Sequence, residues 1–303
     1  MKTSALFLST VLGLVSLAMA ETNPPPLEAD PPHHCDACVD WNKPLEPIHL
    51  FGNTWHVGTQ GLGAVLITSS EGHILIDGGL PQSAPLIADN IHKAGFRLED
   101  VKLLLNSHTH YDHAGGLAAL QRASGARMAA SPAGRLALEN GGPLSDDPQF
   151  AFGPSHNNYP TVPNVRVIAD GESLRVGTLA VKAHFTPGHT PGGTTWTWRS
   201  CEGSRCLDFV YADSLNAVSA PGFSFSADPA RVASFEKSIA VVEQLPCDVL
   251  LAAHPYAADL EARLARKNFI DSQACKSYAA GARQRLATRL AEEREQRVAP
   301  IRH

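Results

Sequence analysis

The sequence predicts an α/β fold in a single domain, and three observations carry that reading. From Ile48 onward, short apolar and β-branched runs recur between turn signals, the pattern of strands. Stretches with apolar residues at helical spacing stand among them. No segment repeats and no shift in composition marks a second domain, although 303 residues with 44% hydrophobic content suffice for one large domain or two small ones.

Residues 1–20 precede the fold. Met1-Lys2 followed by Ala5-Leu6-Phe7-Leu8 and Val11-Leu12-Gly13-Leu14-Val15 reads as a secretory signal, and Ala18-Met19-Ala20 is a small-x-small cleavage site. The mature chain is therefore expected to begin at Glu21, in the periplasm or outside the cell. The apolar run is too short for a stable membrane span and no later run reaches its length, so no membrane association is expected after cleavage. Residues 21–44 are a leader rich in proline (Pro24, Pro25, Pro26, Pro31, Pro32), expected to be extended and poorly ordered. His33 and His34 within it read as incidental.

Residues 45–303 form the expected domain. Strands are predicted at Ile48-His49-Leu50-Phe51, Thr54-Trp55-His56-Val57, Ala64-Val65-Leu66-Ile67 and His73-Ile74-Leu75-Ile76, with Gly52-Asn53 and Glu71-Gly72 as turns. Asp77-Gly78-Gly79 ends the last of these. Ala84 to Gly95 is helical, with Leu86, Ile87, Ile91 and Ala94 on one face. Val101-Lys102-Leu103-Leu104-Leu105 is a buried strand, and Ala114 to Leu120 opens a helix. Residues 145–160 are a long irregular stretch, uncommon unless functional. Strands resume at Val165-Arg166-Val167-Ile168, Leu179-Ala180-Val181-Lys182 and Thr194-Thr195-Trp196-Thr197-Trp198, and helices at Ala230 to Gln244 and Tyr278 to Arg297.

A formal net charge of −5 supplies no basic field for nucleic acid. The chemistry lies in Ser107-His108-Thr109-His110-Tyr111-Asp112-His113-Ala114-Gly115-Gly116, placed on a strand-to-helix loop. Four metal-binding side chains fall within six residues, and neutral imidazole with carboxylate suits zinc and similar metals. One tetrahedral ion cannot readily take all four from so tight a turn. Two can, with His108 and His110 on one and Asp112 and His113 on the other. His189, in the turn Thr186-Pro187-Gly188-His189-Thr190-Pro191-Gly192-Gly193, and His254, after Asp248-Val249-Leu250-Leu251, are the candidate third ligands.

HxHxDH followed by PGHTPGG and a late His-Pro resembles the metallo-β-lactamase superfamily over residues 45–290. The resemblance implies a four-layer αβ/βα sandwich, two mixed β-sheets flanked by helices, with the metals at the sheet edge. It also implies that Asp77 braces the metal loop rather than binding metal. Fold alone does not fix the substrate, and Tyr211-Ala212-Asp213-Ser214-Leu215-Asn216 is the discriminating stretch. Thioesterase-like and phosphodiesterase-like relatives place a metal-bridging aspartate here, which a one-residue shift would make Asp213. In subclass B3 β-lactamases the matching stretch resembles Ala-Asp-Ser-Leu, which puts Ser214 toward the second zinc. Gly52-Asn53-Thr54-Trp55, the Cys247 and Cys275 pair and the C-terminal helix also resemble that subclass.

The resemblance then implies a zinc β-lactamase acting on penicillins, cephalosporins and carbapenems, and so conferring antibiotic resistance, as a monomer with a small-molecule substrate. Two Zn2+ per chain are expected, the first on His108, His110 and His189, the second on Asp112, His113 and His254, with Asp112 orienting a bridging hydroxide. Ser214, Asn216, Gln149 and Phe152 are the expected substrate contacts. The alternative is an exported metallo-hydrolase of the same fold acting on a lactone or thioester. The segment after His254 is short beside the glutathione-binding domain of glyoxalase-II-like enzymes.

Export permits disulfides among the six cysteines. Cys201 and Cys206 flank a hairpin tip, and Cys247–Cys275 would tie the last helix to the sheet. Cys35-Asp36-Ala37-Cys38 reads as a local disulfide, against a redox pair or half a zinc site.

Overall fold

A computed structural model describes residues 27–298, and the expected signal segment with its cleavage site after Ala20 lies outside the described residues. The first sheet holds β1 (Ile48–Phe51), β2 (Thr54–His56), β3 (Val65–Ile67), β4 (His73–Ile76), β5 (Val101–Leu105), β6 (Arg127–Ala130) and β7 (Val165–Val167), in chain order. Its first half is antiparallel and its second half, from the β4–β5 pair onward, parallel. The second sheet holds β8 (Ser173–Val176), β9 (Leu179–Phe185), β10 (Thr194–Glu202), β11 (Arg205–Ala212) and β12 (Val249–Ala252), with only β11–β12 parallel. The helices are α1 (Cys38–Trp41), α2 (Ala84–Lys93), α3 (Tyr111–Ala114), α4 (Leu117–Ser124), α5 (Pro132–Asn140), α6 (Pro154–Asn157), α7 (Pro229–Gln244), α8 (Leu260–Ala265) and α9 (Ala274–Val298).

The two-residue period of the strands sorts side chains into layers. Val65, Ile67, Ile74, Ile76, Leu103 and Leu105 meet the second sheet, whereas Leu66, Leu75 and Leu104 meet Ile87 and Ile91 of α2 and Leu117 and Leu120 of α4. On the second sheet, Phe209, Tyr211, Val249 and Leu251 face inward. Val210, Leu250 and Ala252 pack instead on Phe235, Ile239 and Val242 of α7 and on Tyr278, Ala282 and Leu286 of α9. Strands apolar on both faces are those covered on both faces. The result is helix, sheet, sheet, helix, the sandwich the resemblance implied. Two buried indoles stitch it: Trp198 Nε1 donates to Thr54 Oγ1 at 2.9 Å and Trp196 Nε1 to the Asn106 carbonyl at 3.0 Å.

Three local expectations change. On α2, Leu86 is half-buried while polar Asn90 is buried, because its amide serves the carbonyls of Leu45, Val57 and Gly58 at 2.9, 3.0 and 3.1 Å. The long stretch 145–160 is ordered by its own polar groups, with the Asn157 amide donating to the carbonyls of Gln149 and Phe150 around a 3-10 turn and α6. The leader, from residue 27, is tied down rather than loose. Asp30 pairs with Arg122 at 2.8 Å, the His33 backbone exchanges hydrogen bonds with Gln82, and Leu27 and Cys35 pack on the core. His33 is buried and stacks on Tyr111 at 3.9 Å, a packing role.

Disulfides join Cys35 to Cys38, Cys201 to Cys206 and Cys247 to Cys275. Among the described residues no helix is long and apolar enough to cross a membrane.

Candidate metal centre

The histidine cluster follows β5 directly, where parallel strands end and side chains can fan out from a rigid edge. His108 and His110 lie on the loop. Asp112 and His113, however, belong to α3 rather than to the loop, since the helix begins at Tyr111 and breaks at Gly115-Gly116 before α4. A Cβ on Gly116 would stand 2.2 Å from the Gly78 carbonyl oxygen, so this break lets the helix backbone rest on the Asp77-Gly78-Gly79 turn. Asp77 holds a left-handed φ of 66°, a strained conformation for a residue with a Cβ. Its buried carboxylate accepts from Asn106 Nδ2 at 3.0 Å, from the Ser107 amide and hydroxyl at 2.6 Å each, and from Tyr211 Oη at 2.8 Å. It braces the loop.

Four imidazoles are oriented by a hydrogen bond on the nitrogen that faces away from the cluster. His108 Nδ1 meets Asp213 Oδ1 at 2.9 Å and Ser107 Oγ at 3.2 Å. His110 Nε2 meets Asp147 Oδ1 at 3.2 Å, His189 Nδ1 the Asn216 carbonyl at 2.8 Å, and His254 Nδ1 the Gly61 carbonyl at 3.1 Å. His113 Nδ1 points toward Asp77 Oδ2, 3.8 Å away. The other nitrogens are left to converge. One ligand atom each from His108, His110 and His189 falls within a mutual 4.8 Å, as does one each from His108, Asp112 and His113. His254, from the end of β12, brings its Nε2 to 3.3 Å from His113 Nε2 and 3.4 Å from Asp112 Oδ2. A nitrogen with its opposite face fixed by a carboxylate or carbonyl is the usual arrangement behind a bound metal.

Electrostatics point the same way. Burial, then the neighbouring His113, His189 and His110, hold His108 well below the usual imidazole range. Burial and His110 bring His189 down to about 3. Burial would raise Asp112, but His113 and His254 hold it well below the ordinary carboxylate range. Burial alone would lower His113, yet Asp112 beside it raises it. Imidazole nitrogens and one charged carboxylate thus gather in a buried site. Such a donor set fits a borderline divalent ion such as zinc.

Of the other expected residues, Gln149 and the Asn216 backbone touch a cluster histidine. Gln149 Nε2 approaches His110 Nδ1 at 3.5 Å. Phe152 is 36% exposed and packs on the His156 ring. The Ser214 amide donates to Asp213 Oδ1 at 2.7 Å, and Asn216 meets the cluster through its backbone carbonyl, its Oδ1 being buried without a partner. Sequence reasoning missed Asp147, Gly61 and the aromatic flank of His254, where Trp41 and Tyr256 stand with ring centroids 5.1 and 5.2 Å away. No residue-type signal points to a backbone carbonyl. A lone acid in a long loop is equally mute.

The description "Metallo-beta-lactamase superfamily" matches residues 64–254. Among solved structures, Rm3 metallo-beta-lactamase is 52% identical, with a TM-score of 0.84 over 86% of this chain and 99% of that one. MEM-A1, a subclass B3 metallo-beta-lactamase isolated from a soil metagenome library, is also 52% identical, with a TM-score of 0.82 over 85% and 100%. Metallo-beta-lactamase MIM-1 from Novosphingobium pentaromativorans is 42% identical, with a TM-score of 0.82 over 88% and 98%. A hydroxyacylglutathione hydrolase of Anaeromyxobacter dehalogenans (strain 2CP-C) is 30% identical over 196 residues, which are 64% of this chain and 61% of that protein. The chain thus spans less than two thirds of that hydrolase's length.

Proposed function

The chain belongs to the metallo-beta-lactamase superfamily, and we propose that it is a subclass B3 β-lactam hydrolase holding two zinc ions. His108, His110 and His189 would take the first ion, and Asp112, His113 and His254 the second. Zinc in such sites brings the pKa of bound water to near neutrality and polarises a carbonyl oxygen.

The observation that carries the reading is the direction of Asp213. Its Oδ1 lies 2.9 Å from Nδ1 of His108 and accepts from the Ser214 amide, behind the imidazole, whereas relatives of the thioesterase type use an aspartate here to bridge the metals. The likeness to MEM-A1 over that protein's full length supports the same branch.

In this reading each residue has a separable task. Asp112, charged at neutral pH, would orient the attacking hydroxide. The buried imidazoles, fixed by their outer hydrogen bonds, keep the donor geometry without reorganisation. Among the described residues no histidine is hydrogen-bonded to the Ser214 hydroxyl, so no serine nucleophile is assembled. We assign that hydroxyl to the substrate carboxylate, with Asn216, Gln149 and Phe152 along the cleft. Three disulfides support an exported protein, in the periplasm or beyond.

The test sets a penicillin, a cephalosporin and a carbapenem against an acyl-homoserine lactone and a glutathione thioester, using zinc-loaded protein. The β-lactams should turn over, with no covalent adduct in the mass spectrum and no effect of serine-acylating inhibitors. Turnover of the thioester or lactone alone would transfer the assignment to the branch of the Anaeromyxobacter relative.

A further inference from the structure

We propose that Tyr278, on α9, is a positioning residue that sets both the first metal site and the substrate-facing serine. The inference rests on the ligand and Ser214 assignments above.

The Tyr278 hydroxyl donates to the Asp213 carbonyl at 2.6 Å and lies 3.4 Å from the Leu215 amide, which donates to it. One buried oxygen therefore brackets residue 214, fixing the peptide on either side. The same turn sends Asp213 Oδ1 to His108 Nδ1 at 2.9 Å and to the Ser214 amide at 2.7 Å. A carboxylate that aims a ligand is useful only if its own backbone is held. Gly193 shows how little slack the turn has, since a Cβ there would stand 2.2 Å from Asp213 Oδ2.

Tyr278 is itself anchored. Cys275, on the preceding turn of α9, is bonded to Cys247, which leads into β12 and hence to His254. Further along α9, Arg289 donates to Ser219 Oγ at 2.7 Å and to the Phe223 carbonyl at 3.1 Å. Glu293 accepts from the Phe225 and Ser226 amides at 3.0 and 2.8 Å. The helix thus grips residues 213–226 at several levels, and the Tyr278 level leads through Asp213 to the ligand His108.

Tyr278→Phe removes the hydroxyl and keeps the ring. Zinc affinity, measured by chelator competition without substrate, should fall about tenfold, the scale seen when a group behind a ligand is lost. KM for a β-lactam should rise several-fold, while kcat at saturating zinc stays within about threefold. Asp213→Asn should lower zinc affinity too, and the double variant should lose less than the sum, because the two act in series. A purely structural tyrosine would lower Tm alone. A folded Tyr278→Phe protein with parental zinc affinity and KM overturns the proposal. If it does not fold, Cys247→Ala/Cys275→Ala, which frees the base of α9, must shift both readouts the same way, and unchanged values there overturn it as well. Zinc affinity needs no turnover, so a protein inert toward β-lactams would sink the proposed function while still deciding the role of Tyr278.

Discussion

Nε2 of His113 and Nε2 of His254 face each other at 3.3 Å, with Asp112 Oδ2 at 3.2 and 3.4 Å from them. At most one hydrogen can lie between the two nitrogens, so the pair wants a shared cation. Zinc titration of the demetallated protein should accordingly saturate at two ions per chain, and His254→Ala should lower this to one without unfolding the domain. Chelation should abolish hydrolysis and added zinc restore it. Full activity at one ion per chain would contradict the three-and-three division of ligands.

Asp77 gives a separate prediction, about the loop rather than the ions. It accepts four hydrogen bonds in the buried gap beneath Ser107 and keeps a left-handed backbone to do so. Asp77→Ala would strand the Ser107 amide, the Asn106 amide and the Tyr211 hydroxyl together. Stability should drop by at least about 3 kcal/mol, read by urea unfolding of the zinc-free protein. A loss under about 1 kcal/mol would show that water replaces the carboxylate without cost.

How much of this was legible from the residues follows from what each part is made of. The alternation Val65-Leu66-Ile67 and Ile74-Leu75-Ile76 tells of strands buried on both faces, because each neighbour serves a different layer. Convergence of six ligand-type side chains is legible because few residue types bind zinc and HxHxDH crowds four of them together. The groups behind them are not. Gly61 and Asn216 act through carbonyls that every residue carries, and Asp147 is one of thirty acidic residues. Asn90 likewise sits in an apolar helix stripe yet owes its place to three distant carbonyls.

His56 carries the pH prediction. It lies on β2, buried, with neither ring nitrogen hydrogen-bonded, and burial pushes it down to about 4. The unfolded chain takes up a proton near pH 6.5 that the folded chain refuses until about pH 4. Its contribution is therefore intact above pH 6.5 and falls away between there and pH 4, by roughly 3 kcal/mol in total. His56→Phe should flatten that limb of the stability curve by about one proton and be neutral or stabilising at pH 7. Comparing zinc-free parent and variant cancels the other titrating groups. An unchanged slope would mean that His56 is protonated in the folded state.

Asp147 joins the candidate metal centre to the stretch that carries Gln149 and Phe152. Its Oδ1 accepts from His110 Nε2 at 3.2 Å and from the Gln149 amide at 2.8 Å, so one atom aims a ligand and starts the turn that carries Gln149 and Phe152. Burial would raise its carboxyl, but the hydrogen bond and charge of His110 hold it below the ordinary carboxylate range. Asp147→Ala removes both services, and zinc affinity should fall about ten- to a hundredfold together with a rise in KM as the turn loosens. Asp147→Asn keeps an acceptor for the Gln149 amide and loses only the charge behind His110. It should therefore weaken zinc while leaving KM near the parent value once zinc is saturating. Chelator competition and steady-state kinetics on the two variants separate these effects. Equal KM increases in both would mean that the charge, and not the turn, shapes the cleft.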